Sequence, residues 1–189
     1  MSTLSLAKER PHRSSAFSNA EVAFMVAMGS WAMLFGTFIL SFLLARVKTP
    51  IWPPINIAAF PVAIPIISTF VILGSSIFVH RGYVAQKRQN LADFRFYWGF
   101  GLVLGLFFTG LQVYSLVQWF ALGVDFKSHV YASSISFLVA FHALHLSVGL
   151  GGLGWKLVQP GRVETSKLWT WFWHFLDIVW VAIFMAIAL

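Results

Sequence analysis

The 189 residues contain no cysteine. That excludes disulfides, thiolate metal sites and a cysteine nucleophile, and it leaves the redox compartment unreadable. Charge is scarce: only 10% of residues are Asp, Glu, Lys or Arg, and six are acidic. A soluble globular domain carries about a quarter. Catalytic carboxylate pairs and acidic metal cages are correspondingly short of material. The formal charge of +7 does not point to nucleic acid, because the basic residues sit in short gaps between long apolar runs. That is how membrane proteins carry positive charge. No internal repeat of the kind that builds inverted-repeat transporters is visible.

What is abundant is hydrophobic: 59% of the chain, with 20 Phe and 9 Trp. Five stretches, 22–45, 58–79, 96–120, 130–155 and 168–189, are long and apolar enough to cross a bilayer, which takes about 20 residues. Lipid cannot satisfy open backbone groups, so each is expected to be a helix. The expected fold is an all-α membrane protein: five transmembrane helices in one bundle over 20–189, preceded by a polar, basic segment at 1–19 that is not a cleavable signal peptide. Lys and Arg fall ten to three between the two sets of connectors. The side of Lys8, Arg10, Arg13, Arg81, Lys87, Arg88, Arg95, Lys156, Arg162 and Lys167 is therefore expected inside, and that of Arg46, Lys48 and Lys127 outside. The N-terminus is then inside and the C-terminus outside.

Within the runs, Pro61 and Pro65 mark the first turns of the second helix, where proline is tolerated. Gly101 and Gly105 form a GxxxG in the third. Ser136, Ala140, Ala143, Ser147, Gly151 and Gly154 form a stripe of small residues on the fourth, the kind of surface that admits a close neighbour. The fourth helix is expected to be the most buried of the five. Trp169, Trp171 and Trp173 are expected near the inner interface, where indoles prefer to sit, and Trp180 to pack as bulk.

The ionisable residues inside the spans are His142, His145, His174 and Asp177; Glu21, His80 and His129 stand at span ends. An ionised Asp near a helix centre in lipid costs about 2.5–3.5 kcal/mol on insertion scales, so Asp177 needs a partner or a proton. At 1.5 Å per residue, His174, Asp177, His145 and His142 lie about 10, 15, 16 and 21 Å from the inner edge. The short connector makes the last two helices antiparallel neighbours. The expectation is a network in which a histidine of the fourth helix donates to Asp177 and His174 closes the set. A packing cluster without chemistry accounts for the same residues. Two other readings are open: bis-histidine haem ligation, and a di-metal carboxylate site, for which the Glu-x-x-His pattern is missing.

Several blocks, in order, resemble one family. These are WPP (Trp52, Pro53, Pro54); the proline-led FPVAIPIISTFVILGSSIFVHRG; LQ at 111–112, read as a helix end; VYASSISFLVAFHALHLSVGL at 130–150; and WFWHFLDIVW at 171–180, with Trp173 and Trp180. From about residue 22 onward the chain resembles subunit III of the haem-copper terminal oxidases. The resemblance implies a helical subunit without haem, copper or any other cofactor of its own. Such a subunit packs beside a catalytic subunit I (with subunit II) that carries the haem and copper. It holds phospholipid and supports stability and proton uptake during aerobic electron transport in a bacterial cytoplasmic membrane. Arg81, Arg95 and Lys156 are then candidates for lipid headgroups. The five spans correspond to the last five of seven in longer members. Ser30, Ser115 and Gln118 stand where relatives have acids, which leaves Asp177 as the acid within the spans. The accessory subunit of a nitric oxide reductase fits the same pattern; a haem-binding membrane cytochrome and a transporter are the readings from other classes.

Overall fold

The computed structural model describes residues 18–188 apart from 56, 126 and 128. The 1–17 part of the basic leading segment lies outside the described residues. Five helices account for nearly everything else: α1 (Asn19–Lys48), α2 (Ala63–Lys87), α3 (Leu91–Ala121), α4 (Val130–Val158) and α5 (Val163–Ala188). All five are long and apolar enough to cross a membrane. Their 25 to 31 residues exceed what a hydrocarbon core of about 30 Å requires.

The helix starts are set by local chemistry that hydropathy does not register. Ser18 accepts from the Glu21 N–H while Glu21 returns a bond to the Ser18 backbone, a complete capping box. Asn90 accepts from the Asp93 N–H at 3.1 Å, so α3 begins five residues before its apolar run. His129 caps α4 through Nδ1, taking the Tyr131 N–H. α2 begins at Ala63, later than the apolar run. Pro61 precedes it, and Pro65 lies in its first turn, where no backbone N–H is needed. The preceding segment, which includes a cis Trp52–Pro53 bond, is pinned instead by side chains. The Phe60 N–H donates to the Tyr131 hydroxyl at 2.9 Å, and the Trp119 indole to the Ala58 carbonyl at 2.8 Å. LQ at 111–112 does not end a helix. Gln112 lies inside α3, buried, with its amide donating to Ser68 of α2.

α2, α3, α4 and α5 pack in that order as a closed ring of four, each touching the next and α5 returning to α2. α1 lies outside the ring against α4 and α5 and touches neither α2 nor α3. Two consequences correct the sequence reading. α5 rather than α4 is the most buried helix: its apolar window is 44% buried, against 39% for α4 and 6% for α1. α4 falls behind because one side of it faces outward. The expected small-residue stripe is on that side, with Ala140, Ser147 and Gly151 exposed. The glycines that let helices approach are others. A Cβ on Gly149 would meet Leu176 and Trp173 of α5, and one on Gly152 would overlap Trp169. The GxxxG of α3 does act as a contact surface: a Cβ on Gly101 would stand 2.7 Å from Val79, and one on Gly105 2.7 Å from Trp173. Close approach also makes polar joints, since Ser75 Oγ donates to the Gly101 carbonyl at 2.7 Å.

Candidate functional site

The seam between α2 and α5 carries most of the polar chemistry inside the bundle. The two helices run antiparallel, and their polar residues meet in register. Thr69 accepts from the Trp180 indole at 3.0 Å. One turn and a half further along, Ser75 accepts from the Trp173 indole at 3.1 Å. Next to it, Ser76 Oγ bonds His174 Nδ1. Asp177 lies on the same face of α5, one turn from His174 and one from Trp180, both of which bond α2. Asp177 is 5% exposed, and its Oδ1 is buried with no hydrogen-bond partner. Beyond His174, toward the Lys87 end of α2, the His80 ring lies 5.6 Å from the His174 ring, and Tyr83 follows at 6.3 Å from His80. His80 is exposed.

The structure therefore joins His174 to Ser76 of α2 and not to α4. His142 is 2% exposed and both its ring nitrogens are buried without a partner. It packs on Phe35, Phe108 and Trp180, with ring centroids 6.2, 6.5 and 5.6 Å away. His145 bonds the Phe141 carbonyl of its own helix at 2.9 Å and sits among Trp31, Phe35 and Phe141. The expected bond from an α4 histidine to Asp177 is absent. The short α4–α5 connector does make those helices neighbours, but His174 and Asp177 lie three residues apart on one face of α5, and that face turns to α2. Ser76 and His80 were not singled out as members of the set. Their only signal was a Ser-Ser pair and a histidine at helical spacing on a neighbouring apolar run.

The tryptophans divide. Trp180 packs as bulk, fully buried against Phe108 at 5.1 Å. Trp173 is not an interface anchor: it is 0% exposed, wedged where Gly105 and Gly149 leave room. Trp171 stays at the bundle end under the Lys167 ammonium, 4.6 Å from its centroid. Trp52 fills the opposite end, edge-on to Tyr131 at 4.9 Å and Phe42 at 5.6 Å. Pro53 and Pro54 are half-buried beside it. Ser30 is exposed on α1 and bonds its own helix at Val26. Ser115 is buried with its hydroxyl unpartnered, and Gln118 is exposed and bonds Tyr114.

Of the three cations, Arg81 and Arg95 are exposed. Arg81 lines a surface pocket of about 450 Å³ with Arg88, Asn90, Asp93 and Tyr97. Lys156 is different: at 1% exposure it cannot meet a headgroup. Its ammonium turns inward and donates to the Arg162 carbonyl at 3.3 Å, closing the α4–α5 connector. Gln86 holds the same connector from α2 through the Pro160 and Gly161 carbonyls. At this end Glu21 of α1 pairs with Lys167 of α5 at 2.6 Å. A groove of about 720 Å³ between α1 and α4, lined by Phe38, Phe42, Ala45, Ser133 and Phe137, opens on the outer surface. Among the described residues no three His, Cys, Asp or Glu side chains are grouped as a metal site would need.

No protein-family model matches the chain. Curated relatives do. It is 28% identical over 168 residues to a protein named cytochrome c oxidase subunit 3 of Thermostichus vulcanus, covering 85% of this chain and 82% of the relative. It is 28% identical over 179 residues to the Synechocystis protein of that name, covering 89% and 73%. It is 27% identical over 186 residues to a probable cytochrome c oxidase subunit 3 of Mycobacterium leprae, covering 94% and 91%. The resemblance read from the sequence blocks is thereby borne out. The chain is a multi-pass membrane protein whose homologues are named cytochrome c oxidase subunit 3.

Proposed function

We propose that this chain is the non-catalytic subunit III of a respiratory haem-copper oxidase in a bacterial cytoplasmic membrane. In this reading it packs beside subunit I, which holds the haem and copper and reduces oxygen, and its N-terminus lies inside. The observation that carries the proposal is the similarity to subunit 3 proteins over 85–94% of this chain and 82–91% of two of those relatives. The interior agrees with a role in shape rather than electron transfer. The imidazoles of His142 and His145 are enclosed by aromatic rings on three helices, and His174 is held by a serine. Bis-histidine ligation would need two of them to face one cavity.

Phospholipid is the expected ligand. The α1–α4 groove is apolar and open toward the membrane, which suits an acyl chain, while Arg81 and Arg88 around the pocket at the other end suit a phosphate. Each such cation near an anionic surface contributes about 1 kcal/mol. The accessory subunit of a nitric oxide reductase is the second reading, resting on the same span count. Purification in gentle detergent through a tag on this chain, followed by identification of the co-eluting polypeptides, decides between them. The proposal expects a copper- and haem-bearing oxygen reductase subunit in equal amount. Recovery with a nitric oxide reductase subunit, or of the chain alone, refutes it.

A further inference from the structure

A carboxyl buried in the apolar part of a membrane protein is costly unless it is paired or protonated, and Asp177 has no cation beside it. One turn before it on its own helix is His174, which bonds Ser76 of α2. From α4, His142 and His145 turn to other neighbours; on α1, Glu21 is engaged at the start of the helix by Lys167, and Arg46 and Lys48 lie in its last turn. What Asp177 does have is a line of exchangeable groups leading away from it. Ser76 Oγ bonds His174 Nδ1, and the His174 ring stands 5.6 Å from that of His80, which is exposed. At 1.5 Å per residue His80 lies about 10 Å from the Lys87 end of α2, and Ser76 about 16 Å. The His80 end of the line is therefore close to the surface where Arg81, Lys87 and Arg88 emerge. One hydrogen bond among these groups crosses from α2 to α5, that of Ser76 with His174. With His174 Nδ1–H as its donor, the Ser76 hydroxyl proton is free to rotate toward the Asp177 carboxyl on the next turn of α5, and His174 Nε2 is the acceptor.

We infer that Asp177 is a proton-exchange site inside the bundle, reached from the Lys87 end of α2 through His80, His174 and Ser76. The step balances as a relay. A proton arrives at His174 Nε2 from His80, which takes it from water at that end. The Nδ1 proton passes to Ser76 Oγ as the serine's own proton passes to the Asp177 carboxylate. One proton has entered and one carboxylate has become a carboxylic acid. Reversal of the imidazole tautomer and of the serine hydroxyl resets the chain. No electron is transferred, and no co-reactant beyond water is required. The inference goes beyond the accessory-subunit proposal and does not depend on which catalytic subunit accompanies the chain.

The test is infrared difference spectroscopy on the protein purified from its membrane with its companion subunits. The carboxylic C=O stretch that disappears in Asp177→Asn is assigned to Asp177, and its downshift is followed after transfer to deuterated buffer. The relay predicts prompt exchange in the parent protein. It also predicts exchange slowed on the order of a hundredfold in Ser76→Ala and in His174→Phe, the scale at which a positioned proton-transfer group contributes. Thr69→Ala, which breaks a bond on the same seam outside the relay, should leave the rate unchanged. Should the core variants fail to accumulate, His80→Gln at an exposed position provides the slowed case. The inference is overturned by the absence of any Asp177-dependent carboxyl band, by unchanged exchange in Ser76→Ala, His174→Phe or His80→Gln, or by equal slowing in Thr69→Ala. The subunit proposal fails separately, on the identity of the co-eluting chains.

Discussion

At the scale of single residues, space and polarity make opposite demands at different positions. Gly105 has no room for a side chain: an added methyl would sit 2.7 and 2.8 Å from two carbons of Trp173 and 3.0 Å from Leu150. Neither the indole, fully buried, nor the leucine between helices can move far. Gly105→Ala should therefore lower stability by about 1–3 kcal/mol, the usual cost of overpacking. Gly110→Ala, five positions on in the same helix with nothing within 4 Å, should be neutral or raise it by up to about 1 kcal/mol through helix propensity. Thermal unfolding of the two variants side by side in detergent checks the pair; equal destabilisation would contradict the packing. His142 makes the converse case. Its two nitrogens are buried and unbonded among aromatic rings, and an unmade hydrogen bond of this kind costs about 1–3 kcal/mol. His142→Leu should leave the melting temperature unchanged or raise it. A large loss would show that the imidazole has a partner of its own.

At the scale of helices, α1 is the weakly held element. Only Phe35 and Phe42 of its 30 residues are buried; the half-buried Phe24, Trp31 and Phe38 add ring contacts to α4 and α5, and the ion pair of Glu21 with Lys167 fastens its start to α5. Replacing Phe35 and Phe42 by alanine should release α1 from the ring of α2 to α5 without unfolding that ring. Limited proteolysis would show cleavage in the 49–62 connector well before any cut in the 122–129 connector, and simultaneous cleavage would refute it. The five helices and their order were legible from hydropathy because lipid leaves so few alternatives. Their limits were not, since Ser18, Asn90 and His129 act as caps through hydrogen bonds that an apolar count ignores. Which helix faces which was legible only in part. Chain connectivity correctly made α4 and α5 neighbours, but the rotation of α5 about its axis directs His174 and Asp177 to α2. That rotation is set by Gly105 and Gly149 leaving room for Trp173 and by Gly152 leaving room for Trp169, a fit among three helices that no one helix records. Lys156 was misread for a related reason: a lysine at a helix end looks available for lipid until the connector folds over it and takes its ammonium.

At the scale of the whole molecule, the charge asymmetry predicts its direction in the membrane. The natural lack of cysteine makes this directly measurable. A single cysteine at Leu122, exposed after α3, should react in intact cells with a membrane-impermeant maleimide. One at Gln89, exposed between α2 and α3, should react only after the membrane is opened. The reverse pattern would invert the topology. The most specific block behind the family resemblance, on α5, is spent in this chain on packing: Trp173 fills the space left by Gly105 and Gly149, and Trp180 bonds Thr69.

The central proposal is that this chain gives a respiratory oxidase shape and lipid contacts while contributing no redox centre. Its most direct test is to strip the chain from the purified complex and record, on the remainder, the haem spectrum and the decay of oxygen consumption during continuous turnover. The account predicts an unchanged haem spectrum and a shortened working life. Loss of haem absorbance together with the removed chain would contradict it, as would a turnover lifetime that does not change at all.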